Sequence, residues 1–407
     1  MTNISFRLFL TFLLAAAFVI CSCCTGETPG TDPDDEIPGN DTLANTDTLN
    51  NPGTDTLIVE QPVTEMQTFV YVSLDADKQI AVYKLDSVSG KLEFIQKAST
   101  NGSVGSLASS RSNLFLYAAL RSTNEVATYG IDSLTGKLRY IQRVSVTDNP
   151  VYICPDNTNN YLLTAYFTAG KMAIYPITGD SLIEATPTVN HVIGSEAHYI
   201  HPDAQNKFIY VALRGSDRVM QYSFDETSGT VNSLSPEYAS SETGAGPRHM
   251  FFHPSLPCVY VVNEMGNTVT KYSHNSTSGI LEMVNSISTL PSDWTGSNTT
   301  ADIHITPDGK YLYASNRGHN SIAGYSIDNI SGNLDFLGCY PTEPTPREFD
   351  IDPSGKFIIA GGQGSGKLVS YSIEEDGSLE EVETISAGSA VTWVLCVSVE
   401  TRTMVAE

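Results

Sequence analysis

"QIAVYKLDSVSGKLEF", Gln79–Phe94, decides the fold. An alternating apolar segment runs into Tyr83, a turn rich in Asp, Ser and Gly follows, and a second alternating segment begins. The same unit returns as "EVATYGIDSLTGKLRY" at Glu125–Tyr140 and "SIAGYSIDNISGNLDF" at Ser321–Phe336. Its tyrosine recurs as Tyr83, Tyr129, Tyr175, Tyr222, Tyr272, Tyr325 and Tyr371, at separations of 46, 46, 47, 50, 53 and 46 residues. Self-similarity at this period marks a repeat architecture. Period-two alternation broken by Gly, Asn, Asp and Ser turns identifies short strands, and no sustained helical period lies between them. One four-stranded sheet cannot cover its own apolar faces. Radial packing of several sheets does so and leaves only short, protected edges. The expectation is an all-β chain: a seven-bladed β-propeller of four-stranded blades over residues 67–407.

Ahead of the later tyrosines stands a further strand, as in "PRHMFFHP" from Pro247, "ADIHITP" from Ala301 and "PREFDIDP" from Pro346. The first unit lacks one, and a spare, "AVTWVLCVSV" from Ala390, lies at the far end. This C-terminal strand is expected to fill the inner position of the first blade, beside "TFVYVSL" from Thr68, and so to close the ring.

Residues 1–24 stand apart from the repeats. Arg7 precedes an apolar run from Leu8 to Ile20, too short for a spanning helix but suited to a secretory signal. It ends in Ile20-Cys21-Ser22-Cys23, which resembles a bacterial lipoprotein processing site with Cys23 as the lipidated residue. The expected address is an exported lipoprotein of the outer membrane, on its periplasmic face or at the cell surface. Residues 25–66 hold ten acids and no Lys or Arg, and repeat "DTL" at Asp41, Asp47 and Asp55. Such a segment buries too little apolar surface to offset chain entropy and is expected to be a disordered acidic tether.

The chain carries a formal charge of −24, of which −15 remains once Arg7 and the ten tether acids are set aside. A surface of that sign repels phosphate backbones and anionic lipid, which excludes a nucleic-acid partner and leaves the lipid anchor as the route to a membrane. Cys154, Cys258, Cys339 and Cys396 show no CxxC or zinc spacing. Cys154 and Cys396 fall in expected inner strands, where a free buried thiol is ordinary, and the sequence specifies no disulfide.

In a repeat protein the departures from the consensus are the informative residues. Eight residues before each tyrosine, where the second strand meets its loop, stand Asp75, Arg121, Phe167, Arg214, Glu264, Arg317 and Gln363. The inner strands present Gly105, Val151, His198, Arg248, Ala301 and Arg347 at one position, and Ser106, Tyr152, Tyr199, His249, Asp302 and Glu348 at the next. Blades two and three are bland there, whereas blades four to seven are ionisable. One sector of the channel mouth therefore concentrates His198, Arg248, His249, Glu264, Asp302, Arg317, Arg347 and Glu348. Charges crowded beside a narrow channel are costly unless paired or used. Ion pairs that merely lock neighbouring blades would be expected all round the ring, so a one-sided cluster points to a site.

The segments "GPRHMFFHPSLPCVYVVNE" (Gly246–Glu264), "IHITPDGKYLYASNRGHNSIAGYSID" (Ile303–Asp328) and "PTPREFDIDPSGKF" (Pro344–Phe357) resemble the seven-bladed propeller lactonases. That family includes the propeller-type 6-phosphogluconolactonases and the carboxy-cis,cis-muconate lactonising enzymes. The resemblance runs over the whole propeller and is densest in blades four to seven. It implies His198, Arg248, Glu264 and Arg317 as catalytic residues, in the sector that repeat comparison singles out. His249, Asp302, Arg347 and Glu348 are expected to bind substrate. Two departures, Glu196-Ala197 ahead of His198 and Gly361-Gly362-Gln363-Gly364 in blade seven, bear on substrate identity.

The implied chemistry is hydrolysis of a sugar-derived or related small anionic lactone. A general base, Glu264 or His198, takes a proton from water, and arginines receive an anionic group and the developing oxyanion. No cofactor is called for, and the histidines present no short-spaced metal-ligand set. The reverse sense, lactone formation by adding a carboxylate to an alkene, suits the same four groups. A non-catalytic propeller binding glycan or protein at its rim, through Tyr152, Tyr199 and Phe167, is a different class of reading. An exported address further favours an unphosphorylated or uronic-acid-derived lactone over a cytoplasmic sugar phosphate.

Overall fold

The computed structural model describes residues 63–179 and 181–403, and the signal segment, Cys23 and most of the tether lie outside them. Seven antiparallel sheets follow one another as the blades of a β-propeller. In blades two and four to seven the chain runs outward through four consecutive strands, as in Pro247–Phe252, Cys258–Asn263, Thr268–His274 and Leu281–Ser288 of blade five. Among the described residues the only helix is one 3-10 turn, Arg214–Ser216, so none is long and apolar enough to cross a membrane.

Blade one closes as expected. Val391–Thr403 takes the innermost place and pairs antiparallel with Val63–Leu74, from Val63 opposite Thr403 to Leu74 opposite Val391. The first strand thus begins four residues ahead of the boundary read from the sequence, because Val63–Met66 continue the ladder along the end of the clasp. Blade three departs from the pattern. Its outer position holds two short segments, Leu182–Ile183 and Val189–Val192, each paired with Lys171–Thr178. Pro187, between them, has no N–H to give to a ladder.

The repeated residues staple blade one to blade two and blades four to seven to one another. The hydroxyls of Tyr129, Tyr272, Tyr325 and Tyr371 donate to the carbonyls of Ser99, Ser240, Ser288 and Pro341, each at the end of the preceding blade's outer strand. A second set points the other way: Tyr71, Tyr210, Tyr260 and Tyr313 donate to Gly136, Gly279, Gly332 and Gly377 in the turn of the following blade. These hydrogen bonds satisfy phenols that packing between blades has taken out of water. Glycine in that turn has two causes at once. Gly136 has φ +68°, and a Cβ there would lie 2.3 Å from the Phe69 ring of the blade before it.

One irregularity places the site. Near the channel mouth the inner strand carries one extra residue against its partner in six blades. The extra residue is His198 in blade four, Arg248 in blade five and Arg347 in blade seven. Blade six bulges across Ala301 and Asp302, blade two across Gly105 and Ser106, and blade one at Thr392. A bulge bends the strand and re-aims the side chain of the unpaired residue. Every blade with a bulge offers a side chain at this height; only blades four to seven have filled the offer with ionisable groups.

Candidate active site

Glu264 follows directly on the second strand of blade five and is the pivot of the sector. Its Oε1 meets Arg214 Nη1 at 2.8 Å and Arg317 Nη2 at 3.2 Å, and its Oε2 lies 3.3 Å from Arg248 Nε. Arg248, wholly buried, also reaches Glu348 Oε1 at 2.8 Å through Nη2 and donates from Nη1 to the Ala301 carbonyl. Arg317 Nη2 donates to Thr300 O at 2.9 Å. The Arg214 guanidinium stacks over Phe167 at 5.0 Å and pairs with Glu196 at 2.9 Å. Four blades are thus tied together by one charge network. Burial opposes ionisation of Glu264, but the three guanidiniums outweigh it and hold its pKa below the ordinary range. A carboxylate so clamped is a weak proton acceptor.

The imidazoles lie one layer further in. Nδ1 of His249 is 2.8 Å from Asp302 Oδ1 and 3.8 Å from Glu348 Oε2. The other Asp302 oxygen meets His304 Nε2 at 3.1 Å, and His304 Nδ1 lies 3.5 Å from Asp350. The rings of His198 and His249 are 5.1 Å apart, and Tyr152, Tyr199 and Trp393 enclose His249 at 5.4, 5.5 and 5.9 Å. Burial and the charge of Arg248 push His198 well below its usual pKa and His249 down to about 3, so both are neutral at pH 7. Burial and the nearby Asp302 charge push Glu348 up to about 8, and burial raises Asp350 to about 6.

Buried polar atoms in native proteins nearly always find partners. Of the eight side-chain atoms left without a hydrogen bond among the described residues, four belong to this sector: His198 Nδ1, His249 Nε2, Arg248 Nε and Arg317 Nε. Arg347, beside them, makes no hydrogen bond or ion pair within the described residues. Burial and the neighbouring arginines lower its pKa to about 10.

All eight sequence-derived residues therefore fall in one cluster. Sequence reasoning missed Arg214, although its position eight residues before Tyr222 marked it, and Trp393, which reaches the site only because the C-terminal clasp lies in blade one. Tyr152 and Tyr199 pack against each other at 4.4 Å as walls of the cluster, and Phe167 lies under Arg214, so none of the three forms an open platform. Ligand atoms of His249, Asp302 and Glu348 come within 4.8 Å of one another, as a metal site would require. The position is already served by cations: Arg248 lies 2.8 Å from Glu348 and 3.4 Å from His249 Nδ1, and His304 pairs with Asp302. A surface recess of about 650 Å³ bordered by His253, Asp308, Lys310 and Tyr311 contains none of these groups.

His304 supplies a pH test of the inner layer. Burial alone would lower its pKa, but Asp302, with Asp350 and Glu348, raises it to about 9. The stabilisation from its charge is complete below the unfolded value near 6.5 and disappears as pH rises through about 9. Melting temperature is expected to fall between pH 6.5 and 9.5, and His304→Gln to flatten that fall. An identical slope in the variant would remove His304 from the network.

Profile comparison matches the chain to the family described as "Lactonase, 7-bladed beta-propeller" over residues 46–147 and 107–399. A 6-phosphogluconolactonase of Enterobacter sp. (strain 638) is 33% identical over 168 residues, 41% of this chain and 50% of that protein. One of Klebsiella pneumoniae (strain 342) is 32% identical over 213 residues, 52% of this chain and 63% of that protein. The chain thus matches between half and two thirds of the length of these curated relatives. The periplasmic gluconolactonase PpgL of Pseudomonas aeruginosa shares the fold, with a TM-score of 0.76 at 20% identity over 82% of this chain and all of that one. With seven blades, a clasp across its ends and a family match along nearly the whole propeller, this chain belongs to the seven-bladed β-propeller lactonase family.

Proposed function

We propose that this protein hydrolyses a small anionic, sugar-derived lactone. The observation that carries the reading is the set of three unpartnered nitrogens on His198, His249 and Arg317, gathered from three blades beside the unpaired Arg347. Guanidinium donors without partners are preorganised for a carboxylate or phosphate and for an oxyanion that forms only during reaction. Neutral imidazoles supply proton transfer. Glu264 acts by holding Arg214, Arg248 and Arg317 in place, so its role is electrostatic positioning and the acid–base work falls to the histidines. The names of the curated relatives support a lactone substrate, and an exported address read from Ile20–Cys24 favours an unphosphorylated, uronic-acid-derived lactone that keeps a free carboxylate.

Acid release should be followed with glucono-1,5-lactone, its 6-phosphate and a uronic-acid-derived lactone. Anionic lactones are expected to open faster than the neutral one. Arg347→Ala is expected to raise KM about tenfold for the anionic lactones, the ~1.4 kcal/mol of one charge-assisted contact, and to leave the neutral lactone unchanged. Equal KM changes for charged and neutral lactones would remove the anion-binding role, and no turnover of any lactone by the wild type would remove the function.

A further inference from the structure

We propose that His249 is the general base of the site, fixed by Asp302 as the tautomer with its proton on Nδ1, and that His304 is a positioning residue acting through Asp302. The proposal rests on the lactone-opening reading and assigns its central proton transfer. His249 Nδ1 lies 2.8 Å from Asp302 Oδ1 and 3.4 Å from Arg248 Nη1; the carboxylate contact is much the shorter, so a neutral ring donates there and keeps its lone pair on Nε2. Nε2 is buried and has no partner among the described residues. An acceptor left unmet in this way is costly, and a water or hydroxyl donor would meet it.

Asp302 cannot swing away. Its Oδ1 accepts from the Ile303 amide at 2.9 Å, and its Oδ2 accepts from the Phe349 amide at 3.2 Å and from His304 at 3.1 Å. His304 is itself held against Asp350 at 3.5 Å and between the rings of Phe251 and Phe349 at 5.4 and 5.0 Å. The chain His249–Asp302–His304–Asp350 therefore spans blades five, six and seven. Neither alternative base has such support. Glu264 is clamped by three guanidiniums, and among the described residues no carboxylate is bonded to His198.

In the step itself, Nε2 takes a proton from water while the water oxygen bonds to the lactone carbonyl carbon. The carbonyl π pair moves onto its oxygen, where Arg248 or Arg317 receives the charge. Collapse re-forms the carbonyl, breaks the ring C–O bond, and returns the proton from Nε2 to the leaving ring oxygen. The products are the hydroxyl and the carboxylic acid, which ionises to solvent.

The charged and titratable groups that face His249 are Arg248 on its own strand, His198, Tyr152, Tyr199, Asp302, Glu348 and Arg347. Burial and the positive charges hold the ring neutral in the empty site. A bound anion would cancel much of the arginine field, so the ring becomes more basic when substrate arrives. That coupling makes a negative substrate group part of the switch that readies the base.

The test uses the full chain with nitrogen-15 labelled histidine, read by long-range proton–nitrogen correlation and assigned with His249→Gln. At pH 7 His249 should be neutral with its proton on Nδ1. Asp302→Asn should move the proton to Nε2 and lower kcat about 10²- to 10³-fold, while His304→Gln lowers kcat about tenfold at unchanged KM. A wild-type His249 that is protonated on Nε2, or doubly protonated, overturns the proposal, and this readout stands even where a variant fails to fold. So does an Asp302→Asn enzyme within threefold of wild-type kcat. A wild type that opens no lactone overturns the catalytic role together with the proposed function, and the tautomer then reports only on the Asp302 contact.

Discussion

Truncation after Ser386 will yield a chain that does not fold. The missing segment supplies the inner strand of blade one, with Val391, Val394, Val397 and Val399 all less than 4% exposed. Burying an aliphatic side chain is worth about 1.5–3 kcal/mol, so four valines contribute on the order of 6–12 kcal/mol, comparable with the whole net stability of a domain even when discounted for a compact unfolded state. The strand also ties three blades together. Thr392 Oγ1 donates to Val104 O of blade two at 3.0 Å, the Cys396 amide donates to Asp350 of blade seven at 2.8 Å, and Thr68 meets Ser398 at 2.7 Å within blade one. Without it, Val63–Leu74 becomes a long, apolar edge of the kind that aggregates. Thermal melting by circular dichroism decides the matter. A truncated chain that melts cooperatively within a few degrees of the full protein contradicts the clasp.

The second large effect is expected from Glu264→Gln. The substitution keeps the shape of the side chain and removes the charge on which Arg214, Arg248 and Arg317 converge. Breaking a buried ion pair by deleting one partner typically costs about 3–5 kcal/mol, because the remaining charge stays buried without compensation. Here three guanidiniums are left to repel one another, so the variant should melt earlier and the arginines should drift from the positions that receive the substrate. A fall in kcat of about 10²-fold or more is expected, measured well below the variant's melting temperature. Wild-type kcat with a lowered melting temperature would reduce Glu264 to a structural lock.

The repeat made the ring legible. Tyr129, Tyr272, Tyr325 and Tyr371 recur because each phenol caps the end of the neighbouring blade, and the spare strand at Ala390 disclosed the closure. The candidate cluster was legible through its asymmetry, since His198, Arg248 and Arg347 break the pattern that Gly105 and Val151 keep. Three things were hidden. The inner-strand bulges that aim those residues leave no sequence signature. Trp393 lies far along the chain from blade five, and only ring closure brings it to His249. The division of labour proposed for Glu264 and His249 depends on which partner each atom meets. Three arginines on one carboxylate make it a poor base, and one aspartate on one imidazole fixes which ring nitrogen keeps its lone pair. Spacing along the chain carries neither fact.

The most direct test is acid release from a negatively charged lactone, the 6-phosphate of glucono-1,5-lactone or a uronic-acid-derived lactone with a free carboxylate, wild type beside Glu264→Gln in the same titration. Catalysed opening well above the spontaneous rate, lost about 10²-fold or more in the variant, is the expected result. Opening of every lactone at the spontaneous rate by the folded wild type would show that the charged sector of blades four to seven does something other than open a lactone ring, and equal catalysed rates for the two proteins would leave Glu264 a structural lock.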